Sequence, residues 1–169
     1  MKIVTATLCS CLLFAMCAAG QNTGAAATSD QDFITLAAQT DMAEAHLGQL
    51  AADNASSQAV KDYAQMLVTD HTKDYDQVSA LARKAGLNVP TALDPNHIKK
   101  IAPFEKLKGR AFDRRFAHEM VTGHETAIAA YDKESRDGQN PDLKAYAKQT
   151  LPVLEKHKND AEQLLKSGK

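Results

Sequence analysis

Four long segments of the chain carry apolar residues at intervals of three and four, the spacing that places them on one face of an α-helix. The pattern predicts helices over about residues 30–53, 57–85, 109–137 and 141–166. No segment shows the alternation of apolar and polar residues that is typical of a half-buried strand. Short links join the first helix to the second and the third to the fourth, so each pair is expected to form an antiparallel hairpin.

Residues at the predicted helix ends support these boundaries. Ser57 or its neighbour Ser56 can cap the second helix, and Gly86 supplies the left-handed residue that often follows a helix. Asp94 and Asn140 each precede a proline, which is the arrangement of an N-cap followed by a first-turn proline. We therefore expect a helix to begin after each of these two residues.

The connection between the two hairpins is much longer than the links inside them, and it contains a short predicted helix from Asp94 to about Leu107. A link of this length can cross from one end of a helical bundle to the other. Two antiparallel hairpins joined by one long crossover make up the ferritin-like arrangement. The sequence therefore predicts an all-α protein, a ferritin-like four-helix bundle.

Each predicted helix places an ionisable residue near the middle of its apolar face. Two similar phrases, "YAQMLVTDH" and "FAHEMVTGH", both end in such a histidine. Because a helix rises 1.5 Å per residue, these side chains can lie in one layer within one or two turns of each other. The residues are Glu44, His71, His124 and His157, with Asp74 one turn after His71.

This layer needs partners, because burying unpaired polar groups costs several kcal/mol. Imidazole and carboxylate together suit zinc, iron, manganese or copper. One hypothesis is therefore a metal site formed by Glu44, His71, His124 and His157, with Asp74 as a fifth ligand or an outer group. The alternative is a structural or interaction protein in which the acids accept hydrogen bonds from the histidines. Such a layer fixes helix register and titrates near neutral pH.

A ferritin-like oxidoreductase is a third hypothesis, but the sequence supports it least. Di-iron bundles use Glu-x-x-His on two helices, and this chain contains no such motif. Four acidic residues beside the predicted layer could add oxygen ligands only by reaching inward, and such residues are more often solvated or bound to a ligand histidine. They are Asp41, Asp70, Glu119 and Glu125. We assign no catalytic residue.

Composition narrows the choice of partners. Hydrophobic residues make up 44% of the chain and charged residues 24%, and the formal net charge is −1, so an obligatory nucleic-acid partner is not expected. Lysine and arginine are concentrated in residues 97–115, which could make a weak contact with the cell envelope or form a solvated face. The sequence does not indicate the oligomeric state.

The first twenty residues, "MKIVTATLCSCLLFAMCAAG", have the charged start, apolar run and small residues of a secretory signal peptide. A membrane anchor is the alternative. A lipoprotein fits less well, because Cys17 follows Met16 rather than a small residue. We therefore predict a cleaved signal over residues 1–20, a flexible tether over 21–29 and the bundle over 30–169. The expected location is the periplasm or the exterior, with no transmembrane span in the mature chain.

Three phrases of the sequence resemble the bacterial domain of unknown function 4142, over about residues 30–166. They are "YAQMLVTDH", "FDRRFAHEMVTGHE" and "LPVLEKH", and each ends in or near a predicted inward histidine. Members of that family are often labelled outer-membrane or secreted proteins. The resemblance implies an exported, ferritin-like helical bundle and brings no established activity.

Overall fold

The computed structural model describes residues 23–168, so the predicted signal peptide lies outside the described part of the chain. These residues form long helices joined by short turns and one longer connection. The elements are α1 (Thr23–Asn54), α2 (Gln58–Ala85), α3 (Pro95–Ile101), a 3-10 segment (Ala102–Lys106), α4 (Gly109–Asp137) and α5 (Pro141–Ser167). Helix α1 begins before Asp30, where the apolar pattern begins.

The helices pack as two hairpins. Helix α1 lies along α2 and α4 lies along α5, while α1 also contacts α4 and α2 contacts α5. Helix α3 and the 3-10 segment pack against α1 within the long connection. No strand occurs in residues 23–168, so the predicted all-α class is confirmed. None of the helices described here has an apolar stretch long enough to cross a membrane.

The helix caps confirm three of the four local signals. The Asp94 side chain accepts hydrogen bonds from the backbone N–H groups two and three residues ahead, at 2.7 and 2.9 Å. Asn140 does the same at 2.9 and 3.3 Å, and Gly86 is left-handed with φ of 71°. Ser57 occupies the N-cap position of α2, but its side chain makes no capping bond. Another residue therefore satisfies the turn between α1 and α2.

That residue is Asp113, in the first turns of α4. Its carboxylate accepts hydrogen bonds from the backbone N–H groups of Ser56 and Ser57, both at 3.0 Å, and from the Ser56 hydroxyl at 2.6 Å. Asp113 therefore ties the start of the second hairpin to the turn of the first. Asp113 is partly buried in this position, and we call it a clasp.

The first hairpin makes the reciprocal contact. Asp30 of α1 accepts hydrogen bonds from the backbone N–H groups of Gln139 and Asn140 in the α4–α5 turn, at 3.0 and 3.1 Å. The number of residues from Asp30 to Asp113 equals the number from the α1–α2 turn to the α4–α5 turn. The clasps are thus equivalent parts of two similar hairpins.

Aromatic contacts repeat at the same spacing along the chain. Phe33 packs edge-on against Tyr146 with ring centroids 6.2 Å apart, and Phe116 packs against Tyr63 at the same distance. Each residue of one pair has its counterpart in the other pair. The phrases "KDYA" and "KAYA" contain the two tyrosines. These matched contacts show that the α1–α2 and α4–α5 hairpins are built in the same way.

The apolar core is divided into two clusters along the helices. One cluster lies on one side of the predicted polar layer and contains Leu47, Leu67, Phe116 and Ala161. The other cluster lies on the opposite side of the layer. The second cluster contains Phe33, Val78, Tyr131 and Leu154. In every long helix the predicted layer residue therefore lies between apolar residues of the two clusters.

The two clasps should contribute measurably to stability. Each of Asp30→Ala and Asp113→Ala removes a charged acceptor from backbone N–H groups, so we expect the free energy of unfolding to fall by about 1–3 kcal/mol. Chemical denaturation measures this change. Asp76→Ala is the matched control, because Asp76 is exposed within α2. Equal small effects in all three variants would contradict the role of the clasps.

Glu134 lies near the Asp30 clasp and is only 4% exposed. Burial raises its pKa to about 7, and the neighbouring Asp30 carboxylate acts in the same direction. Because the folded pKa exceeds the ordinary value of 4.5, the folded protein favours the protonated acid. The stability that this proton provides is present below pH 4.5 and is lost as the pH rises through 7.

Replacing Glu134 by glutamine should remove this pH dependence. We expect Glu134→Gln to match the wild type near pH 4 and to exceed its free energy of unfolding by about 1–2 kcal/mol at pH 8. Denaturation at both pH values measures the difference. Glu155→Gln is the control, since Glu155 is exposed on α5. If the wild type is as stable as the variant at pH 8, ionising Glu134 does not destabilise the fold at that pH.

Candidate metal centre

Three histidines from three helices meet between the two apolar clusters. His71 of α2, His124 of α4 and His157 of α5 are at most 2% exposed, and their ring centroids lie 5.3–5.7 Å apart. One ring nitrogen from each lies within 4.8 Å of the others. The histidines that the repeated phrases place on inward faces are thus brought to one point.

The second ring nitrogen of each histidine has a partner outside this centre. His71 Nδ1 lies 2.8 Å from Asp41 Oδ1, and His157 Nε2 lies 3.0 Å from Asp70 Oδ2. His124 Nδ1 donates to the Met120 backbone carbonyl at 2.8 Å. Such outer partners fix the orientation and the tautomer of a ligand imidazole. All three rings are therefore held with one nitrogen outward and one inward.

The inward nitrogens are buried and have no hydrogen-bond partner. They are His71 Nε2, His124 Nε2 and His157 Nδ1. Three such atoms in one place are unusual, because buried polar groups in proteins are nearly always hydrogen-bonded. Their lone pairs or protons face a common space.

Glu44 of α1 brings a carboxylate to the same space. Its Oε2 lies 2.9 Å from His71 Nε2 and 3.3 Å from His124 Nε2, and it also lacks an aligned hydrogen bond. The contacts are close enough for strong attraction between charges. All four helices thus contribute a side chain to the layer.

The distances suit a small metal ion. Zinc binds imidazole nitrogen at about 2.0–2.1 Å, so tetrahedral ligands lie about 3.4 Å apart. The contact between Glu44 and His124 has nearly this length. If the three nitrogens were all separated by the limiting 4.8 Å, each would need to move inward by about 0.7 Å to reach a central zinc ion. Small ring rotations provide a movement of that size.

The carboxylates control the charge of His71. Burial opposes ionisation of its imidazole, but Glu44 and Asp41 outweigh burial and raise the pKa of His71 to about 10. Burial also raises the pKa of Asp41 to about 7, against the influence of His71. For Glu44, burial acts upward, but His124 and His71 outweigh it and the pKa is lowered. Positive charge in the layer is therefore stabilised beside α1.

His157 has the opposite electrostatic surroundings. Burial lowers its pKa to about 4, and the neighbouring His71 and His124 act in the same direction. The Asp70 carboxylate opposes this shift without reversing it. His157 is consequently a neutral imidazole near pH 7, which is the form that binds a metal ion.

Comparison with known proteins places the chain in a family. The family model of the domain of unknown function DUF4142 matches residues 15–164. The chain belongs to this family. No curated protein and no solved structure matches it. The family is defined without an assigned function, so the chemistry of this DUF4142 chain has to be inferred from its own residues.

Asp74, which the sequence also places in the layer, has other partners in the structure. Its Oδ2 accepts a hydrogen bond from the Tyr146 hydroxyl at 2.8 Å and lies 3.4 Å from the Tyr131 hydroxyl. The two tyrosine hydroxyls are 3.1 Å apart. Asp74 is not among the three residues whose ligand atoms converge, and it forms a small polar group one turn away.

Two of the four acids beside the predicted layer contact its histidines directly. Of the two roles expected for them, solvated or bound to a ligand histidine, Asp41 and Asp70 take the second, since each binds a ring nitrogen of a layer histidine. Asp70 directly precedes His71, and Asp41 lies three positions before Glu44, on the same side of α1. The spacing from Glu44 is therefore the signal that could have identified Asp41.

The remaining histidines lie apart from the centre. His46 and His118 are exposed, as their positions on the helices predict. His97 is half-buried, and its Nδ1 lies 3.0 Å from Asp94 Oδ2 in the cap of α3. His46 and His118 can therefore serve as controls in which a histidine is removed from the surface.

Removing the Tyr146 hydroxyl should destabilise the group around Asp74. Tyr146→Phe leaves the carboxylate without its 2.8 Å donor, and we expect the free energy of unfolding to fall by about 1–2 kcal/mol. Tyr131→Phe is the matched variant and should cost less, because its contact with Asp74 is longer. Thermal or chemical denaturation distinguishes the two. A larger loss for Tyr131→Phe would contradict this hydrogen-bond assignment.

Proposed function

We propose that this chain binds a transition-metal ion in its interior. His71, His124 and His157 would each provide one nitrogen, and Glu44 would provide an oxygen. The observation that carries the proposal is the set of three buried, unpartnered ring nitrogens that converge within 4.8 Å, each on a ring whose other nitrogen is held. Zinc, iron, manganese and copper are the candidate ions, since imidazole and carboxylate ligands suit all four.

The residues around the ligands have supporting roles in this proposal. Asp41, Asp70 and the Met120 carbonyl hold the three imidazoles in place, as outer partners do in metal sites. Asp74 remains outside the ligands and fixes Tyr146 of α5 against α2. These residues do not assign a reaction, so we propose binding alone.

A metal-free polar layer is the alternative function. The specific observation in its favour is that Asp41 and Glu44 already contact His71, at 2.8 and 2.9 Å. These carboxylates balance a positive charge on that ring without any added ion. In this alternative the layer sets the register of the four long helices, and the protein acts as a structural or interaction component of the cell envelope.

We also propose that the fold is a ferritin-like four-helix bundle and that the protein is exported. The two hairpins, their contacts through α1–α4 and α2–α5, and the long connection between them support the bundle. The charged start and apolar run of residues 1–20 support export to the periplasm or the exterior. Residues 97–115 would then be available for a weak contact with anionic groups of the envelope.

Metal content and stability test the proposed function together. The untagged protein should contain about one metal ion per chain by mass spectrometry, or take up one when zinc is added. Zinc at one hundred times its dissociation constant should stabilise the fold by about 2.7 kcal/mol. For a domain of this size, the melting temperature should rise by about 5–10 °C. A chelator should reverse the rise.

Single alanine variants locate the site. His71→Ala, His124→Ala and His157→Ala should each weaken zinc binding by at least about 100-fold, because the loss of a ligand exceeds the 10–100-fold loss of an outer partner. His46→Ala and His118→Ala are matched controls at exposed positions and should bind as the wild type does. A protein that takes up no metal and melts identically with a chelator would favour the polar layer instead.

A further inference from the structure

A pocket of about 380 Å³ lies between α1, α3 and α4 and reaches the polar layer from one side of the molecule. Glu44 forms part of its wall, together with Thr40 of α1 and Met120 of α4. The volume falls within the range of small-ligand sites. Of the layer residues, Glu44 therefore contacts both the histidines and the pocket.

Gly123 of α4 makes this contact possible. A Cβ atom at position 123 would lie 2.7 Å from Glu44 Oε1, which is closer than non-bonded atoms allow. Any other residue would push the carboxylate aside. Glycine inside a helix costs about 1 kcal/mol relative to alanine, so the local helix gains nothing from it. What the glycine provides is space for the outer oxygen of Glu44, while Oε2 faces the histidines.

The charge of the pocket favours cations. Four carboxylates and one lysine line it. They belong to Asp32, Glu44, Asp94, Glu119 and Lys100. Three of these acids have cationic or imidazole neighbours, since Lys100 Nζ lies 2.9 Å from Glu119, His97 lies 3.0 Å from Asp94 and His71 lies 2.9 Å from Glu44. With four carboxylates and one lysine, the lining is nevertheless formally acidic, from the exposed Asp32 to the buried Glu44. Such a lining raises the local concentration of cations.

A second, smaller pocket of about 280 Å³ reaches the layer between α2 and α5. There the carboxylate of Asp70 already contacts His157 Nε2 at 3.0 Å, and Lys73 contributes a positive charge to the wall. His71 and Asp74 also line this pocket, so it is a second possible approach to the layer. Unlike the first pocket, it offers a cation no Glu44 carboxylate, and its Asp70 carboxylate is already bound to His157.

We infer that the pocket between α1, α3 and α4 is the route by which a hydrated divalent cation reaches the histidines, with Glu44 as the first protein ligand it meets. This inference rests on the proposed metal-binding function. The carboxylate can exchange bound water at the pocket and then share the ion with His71 and His124, which its other oxygen already contacts. The space beside Gly123 lets Glu44 make that movement.

Blocking the pocket should slow metal uptake without changing the affinity. Thr126 is exposed on α4, lines the pocket and leans toward the turn that contains Gly123. We expect Thr126→Trp to slow association of cobalt(II), followed by stopped-flow absorbance, at least about tenfold, with an unchanged dissociation constant. The chain has no native tryptophan, so the fluorescence of the new indole also reports whether the variant is folded.

Two tryptophan controls make the result specific. Thr69 of α2 is also exposed, and its hydroxyl bonds the carbonyl four residues earlier at 3.0 Å, as that of Thr126 does. Thr69→Trp should load cobalt at the wild-type rate. Thr150→Trp occupies the second pocket and should also load normally. Wild-type loading by Thr126→Trp, or slow loading by Thr150→Trp alone, would overturn the route.

A charge variant tests the same route independently of pocket size. Asp32→Lys places a cation at the exposed rim, and we expect it to slow cobalt association at low ionic strength, with the effect shrinking as salt is added. This variant decides the question if Thr126→Trp does not fold. If the wild type binds no cobalt at equilibrium, the proposed function itself fails. If all variants bind at equal rates, only the route is wrong.

Discussion

The structure depends on how four helices bury three imidazoles and their carboxylates in the middle of an apolar core. Polar groups at this depth are costly unless they are paired, so His71, His124 and His157 each need a partner on every side. Their outer nitrogens find partners in Asp41, in Asp70 and in a backbone carbonyl. These contacts tie α1 to α2 and α2 to α5, whereas the outer partner of His124 lies on its own helix.

The divided core is a consequence of this layer. The two apolar clusters stabilise the helices above and below it, and the reciprocal clasps of Asp30 and Asp113 hold the turns at the ends. The matched spacing of clasps and aromatic pairs shows that the two hairpins are built alike. The centre departs from that symmetry. By the same spacing, the counterpart of Asp41 is His124 and that of Asp74 is His157. One hairpin therefore supplies the acids and the other supplies histidines at equivalent positions.

Local patterns were enough to predict the helices and the inward histidines. The three- and four-residue intervals determine which face of a helix is buried, and the caps at Asp94 and Asn140 depend only on neighbouring residues. The spacing of Asp41 from Glu44 indicates its side of α1, but its contact with His71 also depends on how α1 is rotated against α2. The role of Gly123 also depends on another helix, because the glycine leaves space for the Glu44 side chain of α1. Asp74 shares a helix face with His71, yet Tyr146 of α5 lies close enough to bind it.

The charge of the layer connects its two possible uses. Asp41 and Glu44 outweigh the cost of burial and hold a proton on His71, while His157 stays neutral beside it. The carboxylates of the layer therefore favour a positive charge between them, and no lysine or arginine side chain of residues 23–168 provides one there. A proton on His71 supplies one positive charge, but it leaves the inward nitrogens of His124 and His157 without hydrogen-bond partners. A divalent ion in the proposed site would contact all three rings and Glu44 at once. For that reason the unpartnered nitrogens, more than the number of histidines, favour a metal centre over a purely structural layer.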